Sequence, residues 1–159
     1  MPAITLHTAA EADTQQVLAL ILDAFEEYRA VLNPPSGAHR ETAETIRKKI
    51  IEGGGFIAYV SDQAAGCVLY EPEADALYLG RLAVLPDYRK QGVARALIEA
   101  VEKRARELNL PKVTLGVRVQ LPGNRAFFER LGFQIVAYDS HDGYSEPTFM
   151  TLEKATAPS

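Results

Sequence analysis

Little in this chain invites redox or metal chemistry. Its 159 residues hold one cysteine, Cys67, which excludes an internal disulfide framework and suits a reducing compartment. The three histidines, His7, His39 and His141, are scattered, and no His/Cys cluster has metal-ligand spacing, so no metal is expected. No apolar run approaches membrane-spanning length. The start, Met1-Pro2-Ala3-Ile4, lacks a basic region followed by an apolar core, so the expectation is a cytoplasmic protein with no membrane partner. Internal repeats and linkers are missing as well. One domain over residues 1–154 follows, able to bury roughly 70% of its unfolded surface, with 155–159 as a loose tail.

Positive charge is also scarce overall. The formal net charge of −4 argues against general nucleic-acid binding. The charge is unevenly distributed along the chain. From Arg81 to Arg106 there are seven Lys/Arg against three acids, which leaves −8 for the remainder. A basic segment in an acidic chain fits a local anionic ligand better than an extended polyanion.

That segment contains the most informative stretch, Val84-Leu85-Pro86-Asp87-Tyr88-Arg89-Lys90-Gln91-Gly92-Val93-Ala94. It joins a strand-like run, 77–85, to an amphipathic helix pattern, 91–108, with Val93, Leu97, Val101, Ala105 and Leu108 on one face. A helix start presents unpaired N–H groups and a favourable dipole to an anion. Gly92 and Ala94 remove bulk, so a phosphate can approach the main chain.

Elsewhere the pattern predicts a first strand at 4–6, a helix from Asp13 or Thr14 to about Phe25, and a second helix over 41–52. Strand-like runs at 56–61, 66–70 and 77–85 form an antiparallel meander. Val113, Leu115, Val117 and Val119 alternate as a strand with one buried face. Asn124 is placed to cap a short helix ending at Gly132, and 133–138 with 148–152 close the set as a strand pair. The fold class is therefore α/β (α+β): a mixed, mostly antiparallel sheet of about seven strands with about four helices.

This order of elements, the Arg89-x-x-Gly92-x-Ala94 signature entered from Leu82-Ala83-Val84, and the later Phe127-Phe128-Glu129-Arg130-Leu131-Gly132-Phe133 together resemble the GNAT N-acyltransferase superfamily, whose members use acyl-CoA donors. The resemblance covers nearly the whole chain. It implies acetyl-CoA as co-substrate, with Leu82, Ala83 and Val84 along the pantetheine arm and the Val84 N–H near the acyl carbonyl. It implies a diphosphate cradle of Arg89, Lys90, Gln91, Gly92, Val93, Ala94 and Arg95. Asn124 is a further candidate for contact with CoA, although a helix cap explains it better. The expected activity is acetyl transfer to the primary amine of a small, amino-acid-like metabolite by direct attack in a ternary complex. A homodimer is compatible with this kind of fold.

Three positions depart from the commoner family layout. Gly116 stands where many relatives carry a Glu base, Leu121 where many carry an Asn, and Phe128 where many carry a Tyr acid. Substitutes are His141 as base and Tyr144 as acid, in His141-Asp142-Gly143-Tyr144; the competing reading makes them solvated or turn residues. Arg118, Tyr28 and Arg81 are candidate acceptor contacts, against surface ion pairs or a solvated helix face. Cys67 reads as a small buried apolar side chain. The losses at 116, 121 and 128 also support a rival reading, a CoA-binding sensor without turnover. A nucleotide-binding module is disfavoured because no Gly-Lys-Ser/Thr follows the Gly turn.

Overall fold

The computed structural model describes residues 3–156. Its strands are β1 (Ile4–Thr8), β2 (Gly54–Val60), β3 (Gln63–Pro72), β4 (Leu77–Val84), β5 (Lys112–Arg118), β6 (Gln134–Asp139) and β7 (Phe149–Ala155). Its helices are α1 (Thr14–Phe25), α2 (Ala43–Glu52), α3 (Val93–Glu107) and α4 (Pro122–Arg130). The strands form a seven-stranded sheet in the order β1-β2-β3-β4-β5-β7-β6. Pairing is antiparallel between β1 and β2, β2 and β3, β5 and β7, and β6 and β7. It is parallel where Leu77 and Tyr78 of β4 meet Val113 and Thr114 of β5. The mixed sheet with four helices is the expected fold class.

The chain falls into two compact units. The first runs to Pro72 and resumes over Leu79–Val101. Its core forms where Val17, Leu20, Ile21 and Ala24 of α1 and Ile46 and Ile50 of α2 pack on Ile57, Cys67, Leu69 and Ala83. Each large aliphatic side chain buried there contributes about 1.5–3 kcal/mol. The second comprises Glu73–Tyr78 and the chain from Glu102 onward. There Val113, Leu115 and Val117 are buried with Phe128, Phe133, Met150 and Leu152, as the alternation predicted, but Thr114 on the other face is buried too and the strand ends before Val119.

Several boundaries moved for local chemical reasons. Asp13 does not cap α1; its Oδ2 accepts from the Ala10 N–H at 2.8 Å and closes the preceding turn. α2 starts after Thr42 rather than at Glu41, because Thr42 and Thr45 cap one another: Thr42 Oγ1 accepts from the Thr45 N–H at 3.2 Å and Thr45 Oγ1 from the Thr42 N–H at 2.8 Å. Asn124 is not the cap of α4. The helix begins at Pro122, whose fixed φ suits a first helical position, and Asn124 sits inside the first turn with its N–H on the Leu121 carbonyl, 3.0 Å away. Gly132 ends the turn after α4 in the left-handed region at φ 99°, as expected. The first two residues of the predicted loose tail are ordered. Ala155 pairs with Lys112, and buried Thr156 donates its N–H to Pro111 O at 2.9 Å and its hydroxyl to Leu110 O at 2.7 Å. Residues 157–159 lie outside the described residues.

Candidate functional site

After β4 the chain makes a single 3₁₀ turn over Pro86–Tyr88. Lys90 and Gly92 then both enter the left-handed region, at φ 62° and 89°, before α3 begins at Val93. This double reversal turns consecutive amides outward. Tyr88 and Arg89 donate to Leu85 O and Pro86 O within the turn, and Ala96 donates to Gly92 O. Among the described residues the N–H groups of Lys90, Gln91, Gly92, Val93, Ala94 and Arg95 have no acceptor. They open a fifteen-residue helix whose dipole adds positive potential at the same end. Val93, Leu97, Ile98 and Val101 are fully buried and fix the start of α3. A Cβ on Gly92 would meet only Ile4 Cδ1, at 3.8 Å, so the glycine is required by its φ and not by packing.

The side chains of this loop divide. Arg89 is turned inward. Its Nε donates to Val84 O at 3.1 Å, an Nη donates to Ala24 O at 3.4 Å, and it pairs with Glu27. It braces the loop against the end of α1, which sequence reading had not foreseen. Gln91 Nε2 donates to Asp87 O at 3.1 Å. Lys90 and Arg95 are exposed, and Arg95 lies 3.6 Å from Glu99. Of the strand residues leading in, Ala83 is buried and Leu82 and Val84 are half-buried. Gly66 lets β3 approach closely, since a Cβ there would lie 2.4 Å from Ala83 O.

Arg81 also takes a left-handed φ, 51°, unusual for a residue with a side chain. Its Nε donates to Glu41 Oε2 at 2.7 Å. Glu41 is buried and collects Lys49 on the same oxygen and Thr45 Oγ1 on the other, at 2.6 Å. Burial pushes the Glu41 carboxyl up, but the hydrogen bonds from Lys49, Thr45 and Arg81 together outweigh it and hold the group below its ordinary value. Tyr28 is half-buried, its ring edge-on to Phe25 at 5.8 Å. Glu41 and Lys49 had no signal in the sequence beyond falling within the predicted second helix, 41–52.

In the second unit, His141 and Tyr144 share a turn closed by the Tyr144 N–H on His141 O at 3.1 Å. The His141 N–H donates to Thr148 Oγ1 at 2.8 Å, and its ring Nδ1 contacts the same hydroxyl. The ring stands edge-on to Phe149 at 5.1 Å. Burial first, then the Arg118 charge, lower the His141 pKa against the opposite pull of Asp142. Arg118 is half-buried, and burial lowers its pKa while Tyr144 opposes the shift. These neighbours bring Arg118, His141 and Tyr144 into one electrostatic group. Phe128 is buried in a train of rings, 5.4 Å from Phe127 and 5.7 Å from Phe133. Gly116 is exposed, and a Cβ there would meet nothing nearer than Met150 O at 4.0 Å.

Cys67 is fully buried, and burial pushes its thiol up to about 12, so it is a core residue and not a nucleophile. Among the described residues no group of three or more His, Cys, Asp or Glu gathers as a metal site. No helix there is long and apolar enough to cross a membrane.

The family described as "Acetyltransferase (GNAT) family" matches residues 18–133. Acetyltransferase SG1711 of Sodalis glossinidius (strain morsitans) is 32% identical over 82 residues, half of this chain and 56% of that protein. Probable N-acetyltransferase 14 of Danio rerio is 24% identical over 112 residues, 65% of this chain and 40% of that one. The chain thus spans about half the length, or less, of these curated relatives. Among solved structures, the PaiA N-acetyltransferase from Thermoplasma acidophilum in complex with coenzyme A superposes with a TM-score of 0.80 at 16% identity, covering 96% of this chain and 99% of that one. The ribosomal-protein-S18-alanine N-acetyltransferase from Escherichia coli gives 0.73 at 19% identity, over 99% and 96%. These likenesses show the fold; the family match, over most of the chain, shows descent, and the protein belongs to the GNAT acetyltransferase family.

Proposed function

We propose that this protein is an acyl-CoA-dependent N-acetyltransferase that moves the acetyl group of acetyl-CoA onto a primary amine of a small metabolite. The observation that carries the reading is the run of six uncommitted amides from Lys90 to Arg95, at the start of α3 and hinged on Gly92. Such a concave row of N–H groups suits a diphosphate. Coenzyme A supplies a thioester, an acyl group joined to a good leaving group. Leu82, Ala83 and Val84 line its arm, and the Val84 N–H polarises the carbonyl. Arg89 contributes by holding the loop shape rather than by charge. A small-molecule amine is the partner, with neither nucleic acid nor membrane, in the cytoplasm.

The incoming amine must shed a proton, and with Gly116 offering no side chain we assign that proton to His141. The assignment requires Nδ1–H to donate to Thr148 Oγ1, whose two lone pairs accept both this bond and the His141 main-chain N–H. Nε2 then keeps a free lone pair. The lowered pKa keeps the ring neutral near pH 7 and so able to accept. Tyr144 returns a proton to the thiolate, a role Phe128 cannot fill. Arg118, beside His141 and Tyr144, is assigned to the acceptor.

Calorimetry with CoA, followed by thiol release from acetyl-CoA over a panel of amines, tests the reading. Micromolar binding with amine-dependent thiol release is expected. Binding without release points to a CoA sensor; no heat on injecting CoA removes the cradle altogether.

A further inference from the structure

Five cationic or imidazole side chains gather around the 3₁₀ turn at Gly37–Arg40, and two of them converge beside Gly37. Arg29 is spent on Glu26, both of whose carboxylate oxygens lie 3.0 Å from its Nε. Lys49 and the Nε of Arg81 are spent on Glu41. Among the described residues Arg40 has no ion-pair partner, and Arg81, though paired with Glu41 through Nε, extends an outer nitrogen beside it. Both reach the same point. A Cβ on Gly37 would lie 3.0 Å from Arg81 Nη2 and 3.4 Å from Arg40 Nη2, so the two groups stand within about 6.4 Å of each other, those distances laid end to end. With the single Glu41 carboxylate shared between Arg81 and Lys49, the cluster keeps an excess of positive charge that suits a further anion.

A second observation is independent of the arginines. Both ring nitrogens of neighbouring His39 are buried and make no hydrogen bond. A neutral imidazole offers one N–H donor and one acceptor, and buried polar atoms are seldom left unmatched. Burial, then Arg29, with lesser contributions from Arg40 and Arg81 and against Glu26, lowers its pKa. The ring therefore stays neutral among the cations, with a donor to spare. Arg81 is held in its left-handed conformation by Glu41 and immediately precedes Leu82 on β4, the segment assigned above to the acyl arm.

We propose that Arg40, Arg81 and His39 receive a carboxylate carried by the amine acceptor, so that the acceptor is an amino acid or a closely similar amino-carboxylate. Two guanidinium groups match a planar carboxylate, and the imidazole N–H completes its shell. Gly37 keeps the space open where the two arginines meet. This rests on the acetyltransferase reading of the same fold.

The test uses paired probes. Imidazole C–H signals of the CoA-bound protein are followed by NMR while N-acetylalanine or N-acetylalaninamide is added, with His39 assigned by its loss in His39→Asn. The acid is expected to shift the His39 signal, the amide is not, and Arg40→Ala is expected to abolish the shift. In turnover, kcat/KM for amino acids relative to their amides is expected to fall about 10-fold or more in Arg40→Ala, mostly through KM. Arg40 is exposed, so the variant folds. Equal responses to acid and amide, or an acid-to-amide ratio unchanged by Arg40→Ala, overturn the proposal. So does a loss of affinity for CoA but not for dephospho-CoA in that variant, which makes a donor phosphate the anion. If no amine releases thiol, the acetyltransferase reading fails, while the NMR arm still decides the anion site.

Discussion

Replacing Gly92 separates shape from bulk in the amide run. At φ 89° any L-residue pays a left-handed penalty of about 1–2 kcal/mol, while a methyl there touches only Ile4 Cδ1 at 3.8 Å. Gly92→Ala is therefore expected to lose about 1–2 kcal/mol, or roughly 2–8 °C in Tm for a chain of this size, and to remain folded. Gly92→Asn is expected to lose less, because Asn visits the left-handed region more readily. If the amides of Lys90–Arg95 hold a diphosphate, both variants push a side chain into the approach path. Calorimetry should then show CoA affinity down by about 10-fold or more, equivalent to about 1.4 kcal/mol, with Asn at least as harmful as Ala despite its smaller strain. Wild-type affinity in both variants refutes the cradle. Affinity that tracks the Tm loss, with Ala worse than Asn, refutes the steric argument and leaves only strain.

Lys90→Gly relieves a non-glycine residue at φ 62°; a gain of up to about 1 kcal/mol in urea unfolding with CoA affinity held within a few-fold is expected if amides rather than the ammonium hold the ligand. Glu41→Gln is expected to cost about 2–4 kcal/mol, somewhat below the usual loss for a broken buried pair, because Lys49 and Arg81 keep partial access to water. Since its folded pKa is depressed, Glu41 stabilises the wild type above its ordinary value of 4.5, and that contribution disappears as pH falls through the folded pKa; the variant should lack this acid limb in thermal melts. His141→Ala is expected to lower kcat about 10²-fold or more with CoA affinity unchanged, and in the wild type the acid limb of kcat/KM should lie below pH 6.5, since burial and Arg118 lower the pKa; unchanged turnover would exclude His141 as the base. Cys67, with its thiol pushed up to about 12, should resist iodoacetamide at pH 7 until the protein is unfolded, as mass spectrometry would show.

What the sequence disclosed and what it concealed follow from how far each feature reaches along the chain. The buried face of α3 and the alternation of β5 are local periodicities, and both were legible residue by residue. The end of β7 was not, because Ala155 and Thr156 are tied down by Lys112, Leu110 and Pro111 and carry no apolar alternation of their own. Arg89 counted correctly as a cation of the basic segment, yet its direction is set by Ala24 and Glu27, more than sixty residues earlier. Glu41 was hidden in part for the same reason: one of its partners, Arg81, stands 40 positions away, and nothing in Arg40-Glu41-Thr42 marks a buried carboxylate. Asn124 shows a different failure. The residue type was right for a cap, but Pro122 set the helix start two positions earlier.

The same distinction explains why the family could be read before the chemistry. A row of amides depends on backbone conformation alone, here two left-handed residues and a buried anchor at Val93, and almost any side chains can surround it. Solved structures only 16–19% identical to this chain accordingly keep its fold. Acid–base catalysis and acceptor choice depend on particular side chains, and at Gly116 and Phe128 this chain carries none that can move a proton. On the reading proposed above, those functions sit where the fold brings polar groups together from separate segments, at His141 with Thr148 and at Arg40 with Arg81. If that is right, substitutions in the 89–95 loop that preserve its φ values should leave acceptor preference untouched. Substitutions at Arg40 or Arg81 should change which amines are used without altering how CoA is held.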